Sequence, residues 1–128
     1  MMAPTPLRLL IGENNADLVT TLRMLLDGEP DMSVLGASGS GRELLRLAGE
    51  TDANAFIVDY SLDDGSSLPV VTALRQRRPE AAIVVFTGHR NPILNQQCMA
   101  AGADAVVVKT GDIDELTSAL RAKGGPAT

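Results

Sequence analysis

A carboxylate closes an apolar run at Asp59, where Ala55-Phe56-Ile57-Val58 gives way to a turn-like stretch, Leu62-Asp63-Asp64-Gly65. Three other apolar runs also finish in polar residues of useful chemistry. Leu9-Leu10-Ile11 precedes Glu13-Asn14, Ile83-Val84-Val85-Phe86 precedes Thr87, and Val106-Val107-Val108 precedes Lys109. A run that is apolar throughout suits a strand buried on both faces, as in a parallel sheet, and ligands of such sheets gather beyond the strands' carboxyl ends. If the runs lie side by side, two carboxylates, an amide, a hydroxyl and an ammonium meet at one edge. Such a set can carry phosphoryl chemistry. A carboxylate is a usable acceptor when cations neutralise the transferring oxygens, because the catalysis is mainly positioning and charge stabilisation.

Those strands must be held by helices, and the segments between them have helical period. Leu18, Leu22, Leu25 and Leu26 recur at i, i+4, i+7 and i+8 and predict the buried stripe of a first helix, with Asn14 or Asn15 as its N-cap. Gly28-Glu29-Pro30-Asp31 breaks it before a short second strand, Met32 to Ala37. Ser38-Gly39-Ser40-Gly41 is a turn into a helix carrying Leu44, Leu45, Leu47 and Ala48. Leu68, Val71 and Leu74 space the apolar face of the third helix, and Pro79 closes that unit. The fourth helix runs through Ile93, Leu94, Cys98 and Met99 to Gly102, and the last begins near Asp112 and buries Ile113, Leu116 and Leu120. Five strand-then-helix units predict an α/β fold with one doubly wound parallel sheet and right-handed crossovers. A barrel of eight such units would need about twice the length.

At 128 residues the chain suits one domain. Its formal net charge of -5 argues against a basic nucleic-acid surface or an anionic-membrane surface. Cys98 is the only cysteine, so an internal disulfide is excluded and a buried helical thiol is the plain reading. No apolar stretch reaches the ~18 to 20 residues that span a bilayer, and the start is too short and too proline-rich for a signal peptide, so a cytoplasmic location is expected. Residues 1–6 read as an N-terminal extension and residues 123–128 as a flexible tail or the beginning of a linker.

In order and spacing, Glu13-Asn14-Asn15-Ala16-Asp17-Leu18, Asp59-Tyr60-Ser61-Leu62-Asp63-Asp64-Gly65, Thr87-Gly88, and Ala101-Gly102-Ala103-Asp104 leading to Lys109 form a pattern that resembles the receiver domain of bacterial two-component response regulators (CheY-like). The resemblance covers roughly Leu7 to Arg121, with residues 7–122 as the domain. It implies a flavodoxin-like sheet of strand order 2-1-3-4-5. It also implies that Asp59 takes a phosphoryl group from a sensor histidine kinase, a phosphotransfer protein or a small phosphodonor. Lys109 would then supply the ammonium and Thr87 the hydroxyl. Magnesium would be held by Glu13, Asn14, Asp59, the backbone carbonyl of Ser61 and waters, an oxygen set of the kind that ion demands. Ser61 and His89 stand where the family modulates loss of the phosphoryl group. The output it implies is a changed protein–protein interaction through the face of the fourth helix, fifth strand and fifth helix, a homodimer being one possibility. Neither DNA binding nor catalysis beyond self-phosphorylation and dephosphorylation is expected of this segment.

The pattern departs from the family at three positions. The family usually has two adjacent acids after the first strand, and here Asn14 holds the second place. Two unit charges ~4 Å apart at an effective dielectric of 20 interact by about 4 kcal/mol, part of which desolvation offsets, so magnesium binding should be weaker by about one to two orders of magnitude. Val106 stands where a Tyr or Phe commonly swings inward on phosphorylation, and valine cannot report by that swing. Thr110 follows the lysine in place of the usual cis-proline; a cis bond before threonine costs about 2.5 to 4 kcal/mol, so a trans bond or a strained loop is expected. Together these motivate an alternative, a degenerate receiver that works as an interaction module without phosphorylation. A phosphatase with an aspartyl nucleophile would want a second acid where Ser61 stands, and a flavin site would want aromatic stacking that a 2% aromatic content does not offer.

Overall fold

The computed structural model describes residues 6–109 and 112–124. Strand β1 (Leu7–Gly12) leads to helix α1 (Ala16–Asp27), β2 (Met32–Ser38) to α2 (Gly41–Glu50), and β3 (Ala55–Asp59) through a two-stranded hairpin, β4 (Ser61–Leu62) and β5 (Gly65–Ser66), to α3 (Leu68–Arg77). Strand β6 (Ala82–Thr87) is followed by α4 (Pro92–Ala101), and β7 (Ala105–Val108) by α5 (Ile113–Gly124). The main sheet is parallel in the order β2-β1-β3-β6-β7. Counted without the small antiparallel hairpin, that is the order 2-1-3-4-5.

The apolar runs form strands because helices cover both faces of the sheet. On one side Leu10, Phe56, Val58, Ile83 and Val85 pack against Leu44 of α2, Val71 and Leu74 of α3 and Cys98 of α4. On the other, Leu9, Ile11, Ile57, Val84 and Val107 pack against Leu22 and Leu26 of α1 and Leu116 and Leu120 of α5. Alternate residues of each strand serve opposite faces, so nearly every strand position is apolar.

Helix starts follow the expected caps. Asn15 accepts from the backbone N–H groups of Asp17 and Leu18 at 3.0 and 3.2 Å, and Asp112 accepts from that of Asp114 at 2.9 Å. The α1 stripe is narrower than the spacing predicts. Leu25 is 45% exposed and Met24 73%; at about 100° per residue Leu25 lies some 60° from Leu22, at the margin of the face that meets the sheet. On α4 Cys98 is buried, as expected of a helical thiol, while Ile93 and Met99 of the same helix are 68% and 48% exposed. Helix α5 continues through Gly124, so Lys123 and Gly124, expected in the tail, are helical. Arg121 anchors α5 to the turn before β2, donating to Asp31 at 2.9 and 2.8 Å and to Glu29 at 2.6 Å.

Candidate functional site

Register delivers the charged residues to one edge. Gly12 of β1 pairs with Val58 of β3, so Glu13 follows level with Asp59. Asp59 itself pairs with Phe86, and Thr87 pairs with Val108, which sets Lys109 one step beyond β7. Backbone bonds fix the exits of the outer two strands: the N–H of Glu13 donates to the Ser38 carbonyl at 2.9 Å, and that of Lys109 to the Thr87 carbonyl at 2.7 Å.

Side chains from β1, β3 and β7 then meet. Lys109 Nζ lies 2.8 Å from Glu13 Oε1 and 3.3 Å from Asp59 Oδ2. The ammonium also sits 5.5 Å from the centre of the Phe86 ring, a favourable cation–π distance. Glu13 is 4% exposed; its second oxygen accepts from the N–H of Asn15 at 3.1 Å. Burial and the Glu13 carboxylate push the Asp59 carboxyl above the usual carboxylate range, and Lys109 offsets this only in part. The centre therefore holds more negative charge than one ammonium balances.

Thr87 is buried at the end of β6, where its hydroxyl accepts from the N–H of the exposed His89 at 3.4 Å. Ser61 is exposed, two residues beyond Asp59. Val106 pairs with Val85 and packs against the cluster on the α2–α3–α4 side, three residues before Lys109. Asn14 is exposed beside Glu13, and its Nδ2 donates to Asp63 Oδ1 at 3.2 Å. The bond from Lys109 to Thr110 lies outside the described residues.

A hard, oxygen-liganded cation suits this donor chemistry. Two carboxylates, one of them raised in pKa by burial and by the other, would be relieved by a divalent charge, and the Asn14 amide and Ser61 carbonyl are further oxygens of the right kind. Among the described residues no three His, Cys, Asp or Glu side chains form a metal-holding group. Any ligand set drawn from these residues would be two acids with neutral oxygens.

The Asp63-Asp64-Gly65 turn does more than reverse the chain. Gly65 has φ +124°, which favours glycine. Asp64 accepts from the N–H groups of Gly41 and Arg42 at 2.8 and 3.1 Å, and these bonds hold its carboxyl below the usual range. It caps α2 from a loop more than twenty residues away, a role that turn composition alone does not disclose. The Asp63 N–H donates to the Gly39 carbonyl at 2.8 Å.

Comparison with known sequences places the chain. A sequence model of the response regulator receiver domain matches residues 9–121. The chain belongs to the response regulator receiver domain family. Receiver domains are signalling modules of two-component systems. The photosynthetic apparatus regulatory protein RegA of Rhodobacter capsulatus is 33% identical to this receiver over 116 residues, which is 91% of the chain and 61% of RegA. The chain therefore spans about three fifths of that curated relative's length. A two-component response regulator of the LuxR family from Aurantimonas sp. SI85-9A1 superposes with a TM-score of 0.84 at 25% identity, covering 91% of this chain and 84% of that one. A response regulator from Burkholderia pseudomallei, solved with a phosphorylated aspartic acid, calcium ion and citrate, gives 0.81 at 27% identity, covering 89% and 66%. No helix among the described residues is long and apolar enough to cross a membrane.

Proposed function

We propose that this receiver, residues 7–122, is a phosphorylation-dependent switch in the cytoplasm whose acceptor is Asp59. The observation that carries the reading is the Lys109 ammonium seated 2.8 Å from Glu13 and 3.3 Å from Asp59 at the carboxyl end of the sheet. A carboxylate oxygen of Asp59 would attack the phosphorus of a phosphohistidine on a kinase or phosphotransfer protein, or of a small phosphodonor. The new O–P bond forms as the donor's bond to phosphorus breaks, and the donor leaves with that electron pair. Lys109 steadies the negative charge beside the acceptor, and the Thr87 hydroxyl stands on the neighbouring strand end as a donor to the incoming group. Magnesium, bound by Glu13, Asp59, the Asn14 amide and the Ser61 carbonyl, would neutralise the transferring oxygens. Burial of Glu13 and partial burial of Asp59 hold the acceptor in place.

Ser61, two residues after the acceptor, and His89, two after Thr87, are both exposed and are the residues that would tune hydrolysis of the aspartyl phosphate. The response reaches a protein partner, or a second copy of the chain, through Thr87 and the backbone around β6 and β7, because Val106 has no ring to swing. A specific observation favours a second reading, a degenerate receiver: the positions of the second acid and of the aromatic relay are held by Asn14 and Val106 together.

Acetyl phosphate with magnesium separates the readings. The switch gains the mass of one phosphoryl group, and Asp59→Asn gains none. Amide spectra that stay unmoved by beryllofluoride at millimolar magnesium would establish the degenerate form instead.

A further inference from the structure

Asn14 lacks the charge its position usually carries, yet its side chain is not loose. Its Nδ2 donates to Asp63 Oδ1 at 3.2 Å. The alternative orientation would set the amide oxygen against a carboxylate oxygen, so the contact dictates which end of the amide faces Asp63. The amide oxygen, the only atom of that side chain able to bind a cation, is left on the other branch.

Three loops build this contact. Asp63 comes from the β4–β5 turn, Asn14 from the exit of β1, and Gly39 from the β2–α2 turn beneath them. Asp63 is tied to Gly39 through its own N–H, at 2.8 Å to the Gly39 carbonyl. A Cβ at Gly39 would lie 2.7 Å from Asp63 Oδ2 and 3.0 Å from the Asn14 Cα, so a larger residue there would press on both partners of the contact. Glu13, Asn14, Ser38, Gly39 and Asp63 line one open depression of about 420 Å³. Asp63 thus shares an open depression with Glu13 and Asn14.

We propose that Asp63 is a positioning residue for the divalent cation, orienting the Asn14 amide so that its oxygen serves as a ligand. The acid missing from the end of β1 is supplied from the β4–β5 turn, one hydrogen bond further from the ion. A carboxylate behind a ligand fixes its direction and makes its oxygen more basic, and loss of such a partner typically costs about 10- to 100-fold in metal affinity. An exposed amide linkage belongs at or below the bottom of that range. The inference rests on the phosphoacceptor reading, and the experiment keeps the two apart.

Manganese binding, followed by the loss of the free ion's paramagnetic resonance signal, is measured for the parent, Asp63→Asn, Asn14→Ala and the double variant. Asp63→Asn is expected to weaken binding about three- to tenfold while leaving the melting curve of the metal-free protein in place. In the Asn14→Ala background the same change should alter affinity by less than about twofold, because the ligand through which Asp63 acts is gone. Equal affinity of Asp63→Asn and the parent overturns the inference, as does a loss that persists undiminished in the Asn14→Ala background. If the parent binds manganese and responds to beryllofluoride while Asp63→Asn is unchanged, the positioning role alone falls. A parent that binds no manganese removes both this inference and the metal-dependent acceptor.

Discussion

The acceptor edge and the α4 side of the sheet are built to different standards. At the edge, residues from β1, β3 and β7 meet around one ammonium, with contacts of 2.8 and 3.3 Å and a ring beneath. Of α4 itself one residue, Cys98, is buried, while Ile93 and Met99 are exposed and the relay position carries a valine. The difference teaches that the two jobs of a receiver are separable in its sequence. Taking up a phosphoryl group depends on a few charged strand ends, whereas reporting it depends on how firmly a remote helix is coupled to them.

Removing the ammonium should have the largest effect on this contrast. Lys109→Ala leaves Glu13 and Asp59 facing each other, and breaking a fully buried pair typically costs about 3 to 5 kcal/mol. Lys109 is 24% exposed, so a smaller loss, about 2 kcal/mol in urea unfolding, is expected, together with loss of phosphoryl uptake from acetyl phosphate. The α4 signals in amide spectra should barely move. If they collapse with the edge, the two regions are one cooperative unit and the comparison fails.

The second variant sharpens the charge balance. The folded pKa of Asp59 is raised, so the folded state loses stability as pH rises from the unfolded carboxylate's range through the folded value and stays lower above it. Asp59→Asn abolishes that loss. Metal-free Asp59→Asn should melt a few degrees above the parent at about pH 7.5, and the margin should close as pH falls toward about 4. A margin that is constant with pH would mean that packing, not ionisation, separates the two proteins.

The smallest effect is expected on the other side. Val106→Tyr adds a ring to a half-buried position at a cost within about 1 to 3 kcal/mol. It should enlarge the beryllofluoride-induced shifts on α4 while leaving phosphoryl uptake unchanged. Shifts no larger than the parent's would show that α4 is uncoupled for reasons beyond the missing aromatic.

Much of the sheet was legible because its strands are continuous apolar runs that end abruptly in polar residues, as Val58-Asp59 and Val108-Lys109 do. Helix caps at Asn15 and Asp112 were legible for an equally local reason. Leu25 does not join the buried stripe that its spacing predicts, because periodicity reports a stripe but not how wide a stripe the neighbouring sheet will cover. Asp63 and Asp64 have the composition of a turn, and their bonds to Asn14 and to the start of α2 depend on loops distant in the chain. Spacing alone could not bring Glu13 to Lys109; the likeness to receivers supplied that neighbourhood, and strand register explains it.

The bond between Glu13 and Lys109 joins positions 96 residues apart. During synthesis β1 and β3 leave the ribosome well before β7, so for most of that time both carboxylates exist without their cation. Their repulsion is relieved only when the last strand docks. On the proposed reading of Asp59 as acceptor, an unfinished chain would be a poor target for a phosphodonor, and the ammonium that would ready Asp59 would also certify that the whole sheet has been assembled.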